Sequence, residues 1–379
     1  MAALTRLVLT DFRNYEHLLL KLDHRPVVLT GENGAGKTNL LEAISLFAPG
    51  RGLRQAVLGD CARHSGPGGW STSCDVLGED ISARLGTGID GSPSSLSQRK
   101  CRIDGKTAGS PSAFDEYVQI VWLSPMLDRL FSGPASDRRR FVDRLAALFD
   151  PMHLRTISAY ERAMAERNKL LGESGHQNAW LDGLEAQMAE KGVAMAASRI
   201  SALHRLRAYF NRPNRSPDFP PAILTMEGEV EASLALQSAI DVEDAFRARL
   251  ESARIRDQAA GRALGGPHRS DLATVHGLTH AQAADCSTGE QKALLISIIL
   301  AKARLVAQNR TGDPPILLLD EVTAHLDERR RNALFDEIRD IHAQAWMTGT
   351  DIALFNSLQD SAQFFTVDGG NLAESPTNF

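Results

Sequence analysis

Eight consecutive residues, Gly31, Glu32, Asn33, Gly34, Ala35, Gly36, Lys37 and Thr38, have the make-up of a phosphate cradle. Glycines allow backbone N–H groups to crowd around phosphate oxygens, and a helix starting at the end of such a loop adds the positive end of its dipole. The flanks suit that geometry: Val27-Val28-Leu29 reads as a strand leading in, and Asn39 to Phe47 as a helix leading out. Lys37 is expected at the β- and γ-phosphates, Thr38 at a Mg²⁺ ion, and Asn39 beside the nucleotide. A second chemical centre stands near the other end of the chain, where Ile316-Leu317-Leu318-Leu319 is followed by Asp320 and Glu321. An apolar run of this kind is a buried parallel strand, and ligands collect at the C-terminal ends of such strands. Asp320 is expected beside Mg²⁺, and Glu321 is expected to polarise an attacking water during phosphoryl transfer, with Lys37 as the other catalytic group.

Just before that strand, Cys286-Ser287-Thr288-Gly289-Glu290-Gln291-Lys292 introduces an apolar helix from Ala293 to Ala301. A capped helix start with outward N–H groups is a further anion-binding surface. The turn, with Ser287, Gly289 and Gln291, resembles the signature motif of ATP-binding-cassette ATPases. Ala324-His325-Leu326-Asp327 resembles the loop that touches the partner subunit in those enzymes. The resemblance implies a nucleotide-dependent homodimer in which each signature closes over the ATP of the other protomer. Roughly 250 residues separate Thr38 from Ser287, more than the roughly 100 of a transporter's helical subdomain and far fewer than a long coiled-coil arm requires.

Leu7 to Tyr15, which contains Asp11-Phe12-Arg13-Asn14-Tyr15, followed by Gly31 to Ile44, resembles the opening of the RecF family of bacterial recombination and gap-repair ATPases. Ser124-Pro125, Gly133-Pro134, Arg138 to Asp143, Gly266 to Leu272 and Asp320 to Leu334 extend the likeness from residue 4 to about residue 350. It implies a weak, DNA-stimulated ATPase in which Mg·ATP closes a head-to-head dimer on DNA at single-strand/duplex junctions. Hydrolysis would release it, and RecR and RecO would be its partners in loading RecA. The sequence departs from the family at Met126, where an acid is usual. Ala345 to Asp351 lacks the histidine with which cassette ATPases contact the γ-phosphate, and Thr350 is the candidate for that role. Gln119 lies near the junction where such enzymes carry a Mg²⁺-sensing glutamine. A transporter-coupling ATPase is the alternative, but it leaves Asp11 to Tyr15 unexplained. A binding module using ATP as structural glue is a third reading, against which Glu321 argues.

The expected fold is α/β, a P-loop cassette-type head with a mixed sheet and flanking helices, interrupted by a mainly helical arm. The head is assigned to residues 1–128 and 262–379 and the arm to 129–261. Strands are predicted at Leu4 to Leu9, Leu18 to Leu22 and Val118 to Leu123, with turns at Ser65 to Gly69 and Gly91 to Ser95. Helices are predicted at Ser136 to Phe149, Leu154 to Leu171, Trp180 to Phe210 and Val242 to Gln258, with a turn at Gly172 to Gly175 and a strand at Ala222 to Met226. The tail from Gly369 to Phe379 is expected to be loosely ordered.

Composition points to a soluble intracellular protein of 379 residues, expected in the cytoplasm, and the family resemblance implies association with the nucleoid when on DNA. No stretch approaches the ~20 apolar residues of a membrane span, and no signal peptide is recognisable. Cys61, Cys74, Cys101 and Cys286 are dispersed, so free thiols are expected rather than a zinc site. With a formal charge of −5, any DNA affinity must come from a local basic surface. Arg51 and Arg54 are the favoured DNA contacts; Arg99, Lys100 and Arg102, Arg138 to Arg140, and Arg212 with Arg215 are others. Arg329 to Arg331 are expected in ion pairs.

Overall fold

A computed structural model of the chain describes residues 2–91, 98–173, 178–212, 216–309 and 313–375. The turn residues expected at 92–95 and 174–175, Arg215, and tail residues 376–379 lie outside the described residues. The chain divides into two compact units. The first holds residues 1–128, 216–219 and 287–379, and the second holds 129–215 and 220–286. The second unit therefore runs past the expected boundary at 261.

The chain opens with strands β1 (Ala3–Phe12), β2 (Tyr15–Lys21) and β3 (Val27–Thr30), then helix α1 (Lys37–Ser45). Strands β4 (Trp70–Leu77), β5 (Ser82–Ile89), β6 (Lys100–Ile103), β7 (Lys106–Ala108) and β8 (Ile120–Leu123) follow. Among the described residues, β2-β1-β4-β5-β6-β7 form one sheet, whose strand pairs are all antiparallel. Its strands alternate as a one-faced sheet must: Trp70, Thr72, Cys74 and Val76 of β4 point inward while Ser71 and Leu77 are exposed.

The second unit begins with α2 (Ala135–Ala146), α3 (His153–Gly172) and α4 (Asn178–Phe210). It continues through β9 (Ala222–Glu227), α5 (Glu229–Leu234), α6 (Ala239–Ser252), α7 (Arg254–Ala260) and β10 (Asp271–His276). The helix predicted from Val242 to Gln258 is in fact α6 and α7, interrupted at Ala253. Strand β10 pairs antiparallel with β9 from Asp271↔Glu227 to His276↔Ala222, and both strands lie in the second unit, past the position 261 expected from sequence. Tyr160, Met188, Val193, Phe246 and Leu250 form its apolar centre.

Charged groups are buried beside that centre. Arg167 is fully buried and donates to Glu185 (2.9 Å), Asp257 (2.8 Å) and the Leu250 carbonyl (2.7 Å). Asp143 accepts two hydrogen bonds from Arg199, at 2.7 and 2.9 Å, and pairs with His153 Nε2 at 2.9 Å. Arg138 grips Asp271 with two bonds of 2.6 and 2.7 Å, and Arg139 donates to the Ser270 carbonyl at 2.8 Å. Arg138 and Arg139, read from sequence as part of a basic patch, are thus spent on holding α2 to the start of β10.

Back in the first unit come α8 (Thr288–Asn309), β11 (Ile316–Leu319), α9 (Glu328–Ile341), β12 (Ala345–Thr348), β13 (Gln363–Asp368) and β14 (Asn371–Glu374). They complete a sheet in the order β14-β13-β3-β12-β11-β8, parallel except for the β13–β14 pair. All four residues of β3, β8, β11 and β12 are buried, as expected of strands covered on both faces. One apolar cluster joins both sheets through α1, with Leu7, Leu9, Leu40, Ile44, Leu85, Trp122, Leu318 and Trp346 among its members. A buried amide adds a polar clasp: Gln344 accepts from the Leu4 N–H (2.9 Å) and donates to the Leu4 carbonyl (3.1 Å) where β1 slips register.

Burial opposes ionisation of Asp143, but hydrogen bonds from His153 and Arg199 outweigh it and hold its pKa below the usual carboxylate value. The Arg138 hydrogen bonds depress Asp271 in the same sense, against its partial burial. Both contributions to stability are complete above about pH 5, where an unfolded aspartate is almost fully ionised, and are lost as the pH falls through the lower folded values. Asp143→Asn should cost about 3–5 kcal/mol at pH 7, as expected for a broken buried pair. It should also flatten the acid limb of the stability curve. Thermal melts of wild type and variant between pH 3 and 7 check both.

Candidate nucleotide site

Strand β3 delivers the chain into the loop from Gly31 to Gly36, and α1 leads it away. Gly31 has φ +143°, and a Cβ there would lie 2.2 Å from the Val367 carbonyl of β13. Gly36 has φ +120°, and its Cβ would meet Asn14 Nδ2 at 2.4 Å and Tyr15 Oη at 2.8 Å. Neither position accepts a side chain. Glu32, Asn33 and Gly34 are exposed, whereas Gly36 and Lys37 are buried. No side chain caps α1 and no acid occupies its first turn, so its leading N–H groups are free of side-chain competition.

Sequence reasoning recognised Asn14 and Tyr15 as a pattern but gave them no task. Asn14 Nδ2 donates to the Ala35 carbonyl at 2.9 Å, and its Oδ1 accepts from Asn39 at 2.7 Å. Tyr15 Oη donates to the Gly36 carbonyl at 3.1 Å. These bonds anchor the Ala35 and Gly36 carbonyls to the β1–β2 turn. Arg13 forms a two-point pair with Glu42 of α1 at 2.9 and 2.7 Å, and Glu42 is fully buried. Arg54 joins the same carboxylate at 3.1 Å and donates to Asn39 Oδ1 at 2.7 Å. Of the two favoured DNA contacts, Arg54 is thus tied to α1, while Arg51 is exposed and lines a cavity of about 1110 Å³ shared with Arg13, Asn14, Asn39, Arg63 and His64.

The two chemical centres meet. Thr38 Oγ1 donates to Asp320 Oδ1 at 2.9 Å, across 282 positions of sequence. Thr348, at the end of β12, donates to the same oxygen at 2.8 Å and accepts from the Glu321 N–H at 2.7 Å. Thr348 is fully buried and was missed; an apolar run ending in threonine carries no signal that its hydroxyl serves a neighbouring strand. Thr350, the sequence candidate, stands exposed two residues beyond β12. Asp320 is 2% exposed, whereas Glu321 projects outward from a left-handed backbone with φ +51°. Lys37 Nζ donates to the Gly31 and Glu32 carbonyls at 2.6 and 2.8 Å. Burial pulls its pKa down, against the attraction of Glu321 and Asp320. Gln119 belongs to the wrong end of β8: its carbonyl accepts from Ile316 N–H at the start of β11, away from the end that carries Asp320. Met126 is 60% exposed in the turn after β8.

Ser287 and Glu290 form a capping box on α8: the Ser287 N–H and hydroxyl donate to the Glu290 carboxylate at 2.9 and 2.7 Å, and Glu290 N–H returns to Ser287 Oγ at 3.4 Å. Gly289 and Gln291 lie in the first turn of that helix. Asp327 caps α9 through Arg330 N–H at 2.8 Å. A Cβ at Gly289 would lie 3.9 Å from Arg330 Nη1, so these two helix starts are neighbours. Lys292 pairs with Asp128 at 2.7 Å, linking α8 to the turn after β8.

If Thr38 and Asp320 hold Mg²⁺, Thr348→Val should raise the Mg²⁺ requirement of nucleotide binding roughly 10- to 100-fold by releasing the carboxylate. Metal-free ATP binding should be unchanged. Calorimetric titrations at graded Mg²⁺ check this, and a wild-type Mg²⁺ dependence would dismiss Thr348 as an orienting group.

Comparison with known proteins identifies the family. Residues 3–371 match the model of the RecF/RecN/SMC N-terminal domain. The DNA replication and repair protein RecF of Rhizobium rhizogenes is 49% identical over 372 residues, 98% of each chain, and that of Rhizobium etli is 50% identical over 371 residues with the same coverage. A solved structure of the recombination mediator protein RecF with ATP, in the RecFOR pathway, superposes with TM-score 0.84 at 20% identity, covering 99% of this chain and 98% of the other. An Smc head from Pyrococcus furiosus matches at TM-score 0.54 and 14% identity, covering 99% and 96%. The fold is that of a P-loop cassette-type ATPase head with a mainly helical insertion, and the chain belongs to the RecF family.

Proposed function

We propose that the chain is an ATP-binding DNA replication and repair protein that uses Mg·ATP as a switch. The convergence of Thr38, Asp320 and Thr348 carries this reading. The donor set suits the ion: a hydroxyl and a carboxylate are hard oxygen donors, and Mg²⁺ draws its remaining ligands from phosphate and water. Lys37 and the uncapped N–H groups of α1 would neutralise the β- and γ-phosphates. The cavity beside Asn14, Asn39 and Arg51 has room for the nucleoside. Glu321, exposed next to the buried Asp320, is positioned to orient water, and bound Mg²⁺ would supply charge stabilisation at the phosphates.

The finer mechanism follows the family likeness. ATP would bring two copies together, Ser287, Gly289 and Gln291 of one facing the γ-phosphate of the other, with Asp327 at the same face. The adjacency of the α8 and α9 starts supports one shared docking face. Closure would create a DNA-binding surface at single-strand/duplex junctions, with Arg51 its more accessible cation and Arg54 its support. Slow, DNA-stimulated hydrolysis would reopen it, and RecR, RecO and RecA would act with it at gaps. Among the described residues no helix is long and apolar enough to cross a membrane. We assign the protein to the cytoplasm, and to the nucleoid when it is on DNA. Full-length likeness to DNA repair proteins favours this reading over transporter coupling.

Glu321→Gln should cut hydrolysis roughly 10²- to 10⁴-fold, the usual worth of a general base, and trap a Mg·ATP dimer. Solution mass and ATP lifetime measure this, and an unchanged lifetime excludes Glu321 as the hydrolytic residue. Ser287→Arg should leave ATP binding intact and abolish the dimer, with or without a gapped duplex. A monomer in every state of the wild type, or a dimer indifferent to this change, would overturn the head-to-head mechanism.

A further inference from the structure

Ser124 is the first residue after β8, 1% exposed, and among the described residues its buried hydroxyl has no hydrogen-bond partner. A buried hydroxyl without a partner is costly; the Thr72 and Thr274 hydroxyls share that condition, and what sets Ser124 apart is its position beside Asp320. Its place explains why it is kept. Leu319 of β11 lies opposite Leu123 of β8 on one side and Met347 of β12 on the other. The Asp320 N–H donates to the Leu123 carbonyl at 2.9 Å, so the pairing persists past the formal strand end. One step on, Asp320 is flanked by Ser124 and Thr348. Registered residues of a parallel sheet project from the same face, and Thr348 demonstrates this by reaching Asp320 Oδ1. The three strand ends therefore set hydroxyl, carboxylate and hydroxyl in a row in front of Thr38.

We propose that Ser124 is a further positioning residue of the metal site, its hydroxyl holding a water on the ion bound by Thr38 and Asp320. The inference rests on the Mg·ATP reading above. It assigns to Ser124 the task for which neither Gln119, at the far end of β8, nor the exposed Met126 is suited. The backbone supports the role: Leu127 N–H donates to the Ser124 carbonyl at 2.8 Å, fixing the turn that begins here.

The test compares wild type, Ser124→Ala, Ser124→Thr and Thr348→Val. ATP binding is titrated at graded Mg²⁺, and the Mn²⁺·ATP complex is examined by electron paramagnetic resonance. Ser124→Ala should bind ATP normally without metal, need roughly tenfold more Mg²⁺, and change the Mn²⁺ spectrum. Ser124→Thr, which keeps the hydroxyl, should restore the wild-type requirement. Without nucleotide, Ser124→Ala should melt at or slightly above the wild-type temperature, because it removes an unsatisfied polar group. An unchanged Mg²⁺ requirement in Ser124→Ala, beside a raised one in Thr348→Val, overturns the role of Ser124. A lower nucleotide-free melting temperature with unchanged Mg²⁺ dependence overturns it in favour of a structural hydroxyl. Mg²⁺-independent ATP binding by the wild type would instead overturn the reading on which the inference rests.

Discussion

A carboxylate buried at the end of an all-aliphatic strand must be answered by hydrogen bonds, and the head is arranged around that demand at Asp320. Leaving such a group unpaired would cost several kcal/mol. Thr38 and Thr348 both donate to its Oδ1, and they can do so only because β3, β12 and β11 run parallel with their ends aligned. Thr348 also takes the N–H of Glu321, whose left-handed backbone turns the next carboxylate away from the core. One buried acid thus fixes the relation of the phosphate loop to the later strands and leaves the two neighbouring carboxylates, one buried and one exposed, in different surroundings.

Several arginines of this protein serve its interior and its packing seams. Arg167 and Arg199 sit inside the second unit, Arg138 and Arg139 lock α2 to the β10 entry, and Arg13 is consumed by Glu42. Arg99 donates to Thr87 and to the Gly50 carbonyl. Clusters that look like DNA contacts in one dimension are therefore mostly scaffolding in three. If only the few cations left free in these clusters meet a nucleic acid, few phosphates are neutralised and the affinity should fall only shallowly with salt.

The phosphate loop and the acidic pair were legible because their chemistry is local, each carried by a short run with its own flanking strand or helix. The capping box at Ser287 and Glu290 is readable for the same reason. Thr348, Asn14 and Tyr15 were opaque in role because each serves an atom far away in sequence. The boundary at 261 looked natural, and Gly261 does end α7 in a left-handed cap. The antiparallel β9–β10 pairing that follows is a feature no helix terminator reveals. The break at Ala253 has neither glycine nor proline to announce it, and α5 is too short to show a period.

The clasp between Leu4 and Gln344 joins positions 340 apart, and β3 has both its sheet neighbours, β12 and β13, near the other end of the chain. During synthesis, the antiparallel sheet from β1 to β7 can assemble from residues already outside the ribosome. The phosphate loop, by contrast, stays without its supporting strands until residues 345–368 have emerged. Translation thus imposes an order on the head: its outer sheet folds early, and nucleotide binding becomes available only as the last strands arrive.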